Sequence, residues 1–425
     1  MPQMRAHARL RVHGQGSADE FDHQRTRLEA TLIHARKLGR FHRQAGIGRK
    51  AARLDSRTGL DSASASGRAS PVPTPRRYLT GTGSHLPERV VSNAELSTLV
   101  ANYDARTAGC DLDAWIRRHY GVRTRHWARD GESTGDMALA AARRALEAAE
   151  LAAGELDLIV LATATSDHVA PHSVSFVQAE LGTKAVCHQL QDACPGFLNA
   201  LMVADSLMAN LGYRRALVIA AEKMTHLIDK RDFRMSGLFA DAAGAVVLEA
   251  LELPEQATGR PHGFLSFYAG TDGAAGMALR VPAGGTRRPL TAERLAIGEH
   301  HLVSEFRSVY AFAVDTARRC IAEALARAGL RADQVDWLIP HHASENIVLE
   351  SLSTTGIQPD RLVWAIDHTG NTSSASVPTA LDEAVRAGRF RDGDHVLMLA
   401  LGGGMGWGST VYRWLDPARA RAARR

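Results

Sequence analysis

Gln191-Asp192-Ala193-Cys194-Pro195-Gly196-Phe197 is the stretch that decides how this chain folds and what it can do. The segment Lys184–Leu190 reads as a strand, and it ends here. A cysteine follows, and Pro195 opens a helix, at the position where a missing N–H costs no hydrogen bond. Over Pro195–Leu211 the apolar residues Phe197, Leu198, Leu201, Met202, Val203, Leu207 and Met208 cover nearly every face. A helix apolar all round is central and buried. A cysteine at its N-terminus meets the positive end of the helix dipole, which lowers its pKa and favours thiolate. A buried, inert thiol is the commoner fate of a free cysteine. The strand–cysteine–helix placement argues for a nucleophile at Cys194. Cys110, Cys187 and Cys320 have no such setting and read as structural. Four cysteines in 425 residues are too few for a disulfide framework and fit a reducing, cytoplasmic compartment.

Outward from this stretch, short apolar runs alternate with helical periods. Strands are expected at Leu156–Thr163, Lys184–Leu190, Ala216–Ala221, Ala243–Leu248, Trp337–Ile339, Leu362–Ile366, His395–Leu401 and Ser409–Trp414. Helices are expected at Asp136–Glu150, Ser173–Leu181, Pro195–Leu211, Val309–Ala328 and Ser374–Ala387. Such alternation implies an α/β fold with a largely buried sheet. Ala142-Arg143-Arg144 leads through helix to Asp157-Leu158-Ile159-Val160, and Ala317-Arg318-Arg319 leads to Asp336-Trp337-Leu338-Ile339. This weak echo reads either as two duplicated halves with a site at their junction or as a coincidence of Ala- and Arg-rich helices.

Thioester chemistry on a thiolate needs proton donors and oxyanion donors. Three segments could supply them. Pro340-His341-His342-Ala343-Ser344 follows a strand, so one of the two histidines faces the crevice at the strand ends; either could instead merely cap the strand. Asp367-His368-Thr369-Gly370-Asn371-Thr372-Ser373-Ser374-Ala375-Ser376 is a turn and helix cap in which the Asn371 amide can donate without titrating. Gly402-Gly403-Gly404-Met405-Gly406-Trp407-Gly408 allows backbone N–H groups close to a ligand, or makes a corner before the last strand. A dinucleotide loop is unsuited to a run that precedes a strand, and Gly81-Thr82-Gly83 has Leu86 where a third glycine belongs. No His-Glu-x-x-His or paired Cys-x-x-Cys spacing is present, so no metal site is expected.

Charge is unevenly divided. The net +5 hides 16 Lys and Arg against 6 Asp and Glu in residues 1–77, and an acidic remainder. Residues 1–77 contain no Trp or Tyr and end in the breaker-rich Ser62–Pro75. They read as a basic, disordered extension with at most a short amphipathic helix around Glu20–Arg40. An upstream start codon assigned in error is the preferred explanation, ahead of a transit-like segment and then a nucleic-acid-binding tail, which would lack aromatic interleaving. An N-terminal peptide beginning near Val72 is the expected result of mass spectrometry on the natural protein. No run of 18 apolar residues exists, which excludes a membrane-spanning helix.

Taken in order, the four segments resemble the ketoacyl-ACP synthase III family of the thiolase superfamily, across about residues 78–416. Gly81-Thr82-Gly83-Ser84-His85-Leu86-Pro87-Glu88, Trp115-Ile116, Gly121-Val122-Arg123 and Phe239-Ala240-Asp241-Ala242-Ala243-Gly244-Ala245 belong to the same likeness. The resemblance implies a thiolase-like α/β fold of two duplicated βαβαβαββ halves in a five-layered αβαβα core. Residues 78–250 would form the half with the cysteine, and 251–425 the half with the His, Asn and Gly-rich loop. It implies Cys194 as acyl acceptor, His341 and Asn371 as the decarboxylation pair, and the N–H groups of Cys194 and Gly403 as oxyanion donors. It implies acyl-CoA and malonyl-ACP as substrates, an acyl carrier protein as partner, a homodimer, and no cofactor beyond CoA and phosphopantetheine as carriers. Trp115 matches a position that stacks on the CoA adenine. Several residues depart from the family pattern. Ser344 replaces an asparagine of the pantetheine channel, Asn346 an arginine that docks carrier protein, and His119 a basic cofactor contact. Pro195 follows the cysteine in place of Ala or Ser. Ala170 stands where a bulky Phe limits the partner's acyl pocket, so donors longer than acetyl are expected. The implied reaction is a decarboxylating condensation giving 3-ketoacyl-ACP; the alternatives are acyl transfer to an alcohol or amine, and a non-catalytic binding subunit.

Overall fold

The computed structural model describes residues 75–253 and 260–424. The expected extension, including the helix around Glu20–Arg40, lies outside them, except that Arg76 and Arg77 already belong to the first strand. Leu158–Ala162 (β2) shows why the sheet is buried on both faces. Ile159 and Leu161 pack outward while Leu158, Val160 and Ala162 pack inward, and all five are fully buried. An unbroken apolar run is what a strand with two covered faces requires. Around it stand Arg76–His85 (β1), Val186–Leu190 (β3), Arg215–Lys223 (β4) and Asp241–Leu251 (β5). The order in this sheet is β1-β5-β4-β2-β3, with β4, β2 and β3 parallel and the other pairs antiparallel.

A second sheet repeats the plan. Gly263–Thr271 (β6), Trp337–Pro340 (β7), His395–Gly402 (β8) and Gly406–Arg413 (β9) run in the order β7-β8-β9-β6. The β7–β8 pair is parallel and the others antiparallel. β6 was not expected from the sequence. The Leu362–Ile366 strand, which would complete the duplication, is a single bridge from Leu362 to Leu338, after which Ile366–Thr369 turns helical. The apolar run there reports burial of Leu362, Val363 and Ile366, not a ladder.

Helices make the remaining layers. Thr134–Ala149 (α2) and Ser173–Leu181 (α3) cover the outer face of the first sheet. Gly196–Leu211 (α4) and Ser376–Arg386 (α7) lie between the sheets. Phe306–Ala328 (α5) and Glu345–Leu352 (α6) cover the second sheet. The result is αβαβα, with an added helix Leu112–Tyr120 (α1) beside α6. The two Arg-Arg echoes sit on α2 and α5, the equivalent outer helices. Gly81 and Gly83 serve this packing: a Cβ on either would lie within 2.4 Å of the Ala145 backbone on α2. One apolar cluster joins both sheets through α4 and α7, including Val160, Phe197, Val246, Ile339, Val377 and Met398.

Candidate active site

Cys194 immediately precedes α4, with Pro195 as the helix cap rather than its first residue. Ala193 before it holds φ 47°, a left-handed conformation that a residue with a Cβ seldom adopts. This elbow turns the Cys194 thiol toward the Gly402–Gly404 turn. A Cβ on Gly402 would come within 2.4 Å of Sγ, so a side chain there would have to displace the thiol. The N–H groups of Gly403 and of Cys194 itself bond toward the sulfur, along with the Ser373 hydroxyl at 3.7 Å. The helix terminus does not yield the depressed pKa expected from the dipole. Burial pushes the thiol up, the nearby Glu222 adds to this, and the donors offset only part of it.

Ser373 is the residue on which the site converges. Its φ is 52°. Its N–H donates to Asn371 Oδ1 at 2.9 Å. Its carbonyl accepts from Ser376 Oγ at 2.9 Å, and Ser376 Oγ lies 2.7 Å from His341 Nδ1. Cys194, Asn371 and His341, from three parts of the chain, are thereby tied to the four residues Ser373–Ser376. Because Oδ1 of Asn371 is committed as an acceptor, its Nδ2 is left as a donor. Asn371 is held in turn by its backbone, with Asn371 N donating to Leu238 O and Asn371 O accepting from Ala240 N, each at 2.9 Å. His341 is buried, and burial with His342 beside it lowers its pKa to about 3, so the imidazole is neutral. The single Ser376 hydrogen serves either Ser373 O or His341 Nδ1, and the tautomer with its proton on Nε2 is the one in which it is given to Nδ1.

Behind Ser373 lies Glu222, which no motif announced. It occupies the position after Ala216, Val218 and Ala220 on the inward face of β4, and it is fully buried. Its carboxylate accepts from Ser374 Oγ at 2.7 Å and Ser373 Oγ at 3.3 Å. The signal in the sequence is a lone acid closing an apolar strand.

The remaining expected residues make their contacts away from the thiol. Trp115 on α1 is stacked on His119 at 4.1 Å and 19°, with Phe233 and Tyr120 edge-on. Asn346 donates to the carbonyls of Arg118 and His119, tying α6 to the end of α1. Ser344 is buried and caps α6 through Ile347 N. Ala170 is exposed, on the loop before α3. His342 is buried beside Trp364, and neither ring nitrogen has a partner among the described residues. No group of three or more His, Cys, Asp and Glu residues suited to a metal occurs among the described residues. No described helix is long and apolar enough to cross a membrane.

Known proteins resemble this chain in sequence and fold. Residues 189–280 match the model of 3-oxoacyl-[acyl-carrier-protein] synthase III, and residues 325–414 match the model of its C-terminal part. The chain is 40% identical over 339 residues to the beta-ketoacyl-[acyl-carrier-protein] synthase III of Hyphomonas neptunium, spanning 80% of this chain and 99% of that protein. The crystal structure of the 3-oxoacyl-(acyl carrier protein) synthase III of Pseudomonas aeruginosa superposes with a TM-score of 0.70 at 32% identity, covering 80% of this chain and 99% of that one. A priming β-ketosynthase of a polyketide biosynthetic pathway superposes with a TM-score of 0.72 at 31% identity, covering 82% and 100%. With both halves of the fold, the elbow cysteine and nearly the full length of these relatives accounted for, the chain belongs to the 3-oxoacyl-[acyl-carrier-protein] synthase III family.

Proposed function

We propose that this protein catalyses the decarboxylating Claisen condensation of an acyl thioester with malonyl-ACP, releasing CO₂ and giving the 3-ketoacyl-ACP that starts an acyl chain. The Cys194 thiolate attacks the acyl thioester, and the N–H groups of Cys194 and Gly403 hold the tetrahedral oxyanion. The carrier thiol leaves and the acyl-cysteine remains. Malonyl-ACP then enters, and His341 Nε2–H with Asn371 Nδ2–H donate to its thioester oxygen. Loss of CO₂ places negative charge on that oxygen, which the two fixed donors stabilise. The enolate carbon attacks the acyl group and the thiolate departs. Supporting this reading is the Ser373 frame, which joins the nucleophile to two neutral donors.

Acyl-CoA is the proposed donor, in a homodimer within the reducing cytoplasm. Such a compartment keeps a thiol nucleophile available. The dimer reading is supported by β3, which pairs with β2 on one side only and leaves Val186 on its open edge 42% exposed. The test is intact-protein mass after incubation with acetyl- to decanoyl-CoA and then malonyl-ACP, in wild type and Cys194→Ala. An adduct on wild type alone, discharged into 3-ketoacyl-ACP, is expected. An adduct that malonyl-ACP leaves in place would shift the reading to acyl transfer to an alcohol or amine.

A further inference from the structure

The condensation uses Cys194, His341 and Asn371 and leaves the buried acid behind them unexplained. All of the hydrogen-bond donors around Glu222 are neutral. Oε1 accepts from Ser373 and Ser374, and Oε2 accepts from Ala164 N at 3.0 Å, Thr165 Oγ1 at 3.1 Å and Thr163 Oγ1 at 3.4 Å. Among the described residues no cation pairs with it. Lys223, next along β4, sends its Nζ the other way, to Glu132 O at 2.6 Å. A buried carboxylate without a cation is costly to keep ionised. The titratable group it faces is Cys194, which is also buried. Two anions in one dry pocket would repel strongly, so the pocket holds one negative charge and two places for it.

Between those places stands the Ser373 hydroxyl, 3.7 Å from Sγ and 3.3 Å from Oε1. It has one hydrogen and both acceptors in reach. We propose that Glu222 is the internal proton acceptor of Cys194, with the Ser373 hydroxyl as the relay between them. This rests on the reading of Cys194 as the acyl acceptor. In the step, the S–H bond of Cys194 breaks and its proton passes to Ser373 Oγ. The original hydroxyl proton of Ser373 passes to Glu222 Oε1. The products are a thiolate that accepts from the Ser373 hydroxyl and a neutral carboxylic acid that donates to the Ser373 oxygen. The charge of the pocket is unchanged, and no proton needs to cross to solvent. When the thiolate leaves as product forms, the proton can return by the same path. Glu222 acts through Ser373 and is a positioning residue; Ser373 touches the reacting sulfur.

Alkylation of Cys194 by iodoacetamide tests the relay without any thioester. The rate is followed by intact mass from pH 5.5 to 9 in the full chain, with Cys194→Ala as the site control. Glu222→Gln is expected to slow alkylation at pH 7 by about 100-fold, the scale of a lost general base, and to shift the profile to higher pH. A Glu222 that acted only as a negative neighbour would give the opposite sign, because removing its charge would ease thiolate formation. A faster or unchanged Glu222→Gln overturns the relay. Ser373→Ala is expected to show the same loss, and the double variant no more than either single one. Losses that multiply, or an unshifted profile in Ser373→Ala, also overturn it, and Ser373→Ala alone decides if Glu222→Gln does not fold. Since malonyl-ACP is absent, failure of the condensation reading leaves this result standing, and a wild type that condenses while both variants alkylate normally removes the relay alone.

Discussion

Ser373 and Gly402 show how little freedom the site leaves its residues. Gly402 has an extended backbone that any residue adopts, so its constraint is space: the missing Cβ is where Sγ sits. Gly402→Ala is therefore expected to stay folded at a cost of about 1–3 kcal/mol while losing acyl-adduct formation. Circular dichroism and intact mass check the two halves of that outcome. Asn371→Asp separates the two half-reactions. Its carboxylate still accepts from Ser373 N–H but offers no donor to the enolate. Acylation by acyl-CoA is expected to persist and ketoacyl formation to fall about 100-fold, as for a lost oxyanion donor. Stopped-flow acylation against product release measures both. The motif segments brought Cys194 into view between a strand and a helix and Asn371 in a turn before a helix, whereas the choice of His341 over His342 came from the family resemblance. Glu222 was not legible, because only the sheet's alternation aims it at the thiol.

At the scale of elements, α1 and α6 carry the surface that the Trp115 reading assigns to the donor. Asn346 locks the first turn of α6 to the last turn of α1, and His119 lies flat on one face of Trp115. A nucleotide base that stacks on that face must displace the imidazole. His119→Ala is accordingly expected to lower KM for acyl-CoA several-fold with kcat unchanged, read from initial rates at fixed malonyl-ACP. An unchanged KM would place the base elsewhere. The Leu362–Ile366 segment carries a lesson about elements: an apolar run promises burial, and pairing partners decide whether burial becomes a strand.

Across the whole molecule, buried ionisable groups shape stability against pH. His341 and His342 are lowered by burial to about 3 and about 4. The unfolded chain binds their protons first, so their contribution is complete above pH 6.5 and is lost as pH falls toward 4. Each costs up to ~1.4 kcal/mol per pH unit in that window. Glu222 has the opposite sign: burial raises it to about 7, and its contribution is complete below the ordinary carboxylate range and lost as pH rises through 7. The Tm is expected to peak between these limbs. His342→Leu should flatten the acid limb and Glu222→Gln the alkaline one, by calorimetry at pH 5, 6.5 and 8. The open edge of β3 gives a second expectation at this scale. Val186→Lys should shift sedimentation of the proposed dimer toward monomer, since edge charges oppose strand addition.

The sequence by itself determined the α/β class and the three segments that carry the thiol, imidazole and amide. Those features are written in local periodicity, in turn residues and in what precedes or follows a strand. Only the tertiary structure decided that Ser373 would join them, that Glu222 would stand behind the sulfur, and that burial would raise the thiol's pKa where the helix dipole alone would lower it. These depend on residues far apart in sequence sharing one dry pocket, where desolvation outweighs the field of a single helix end.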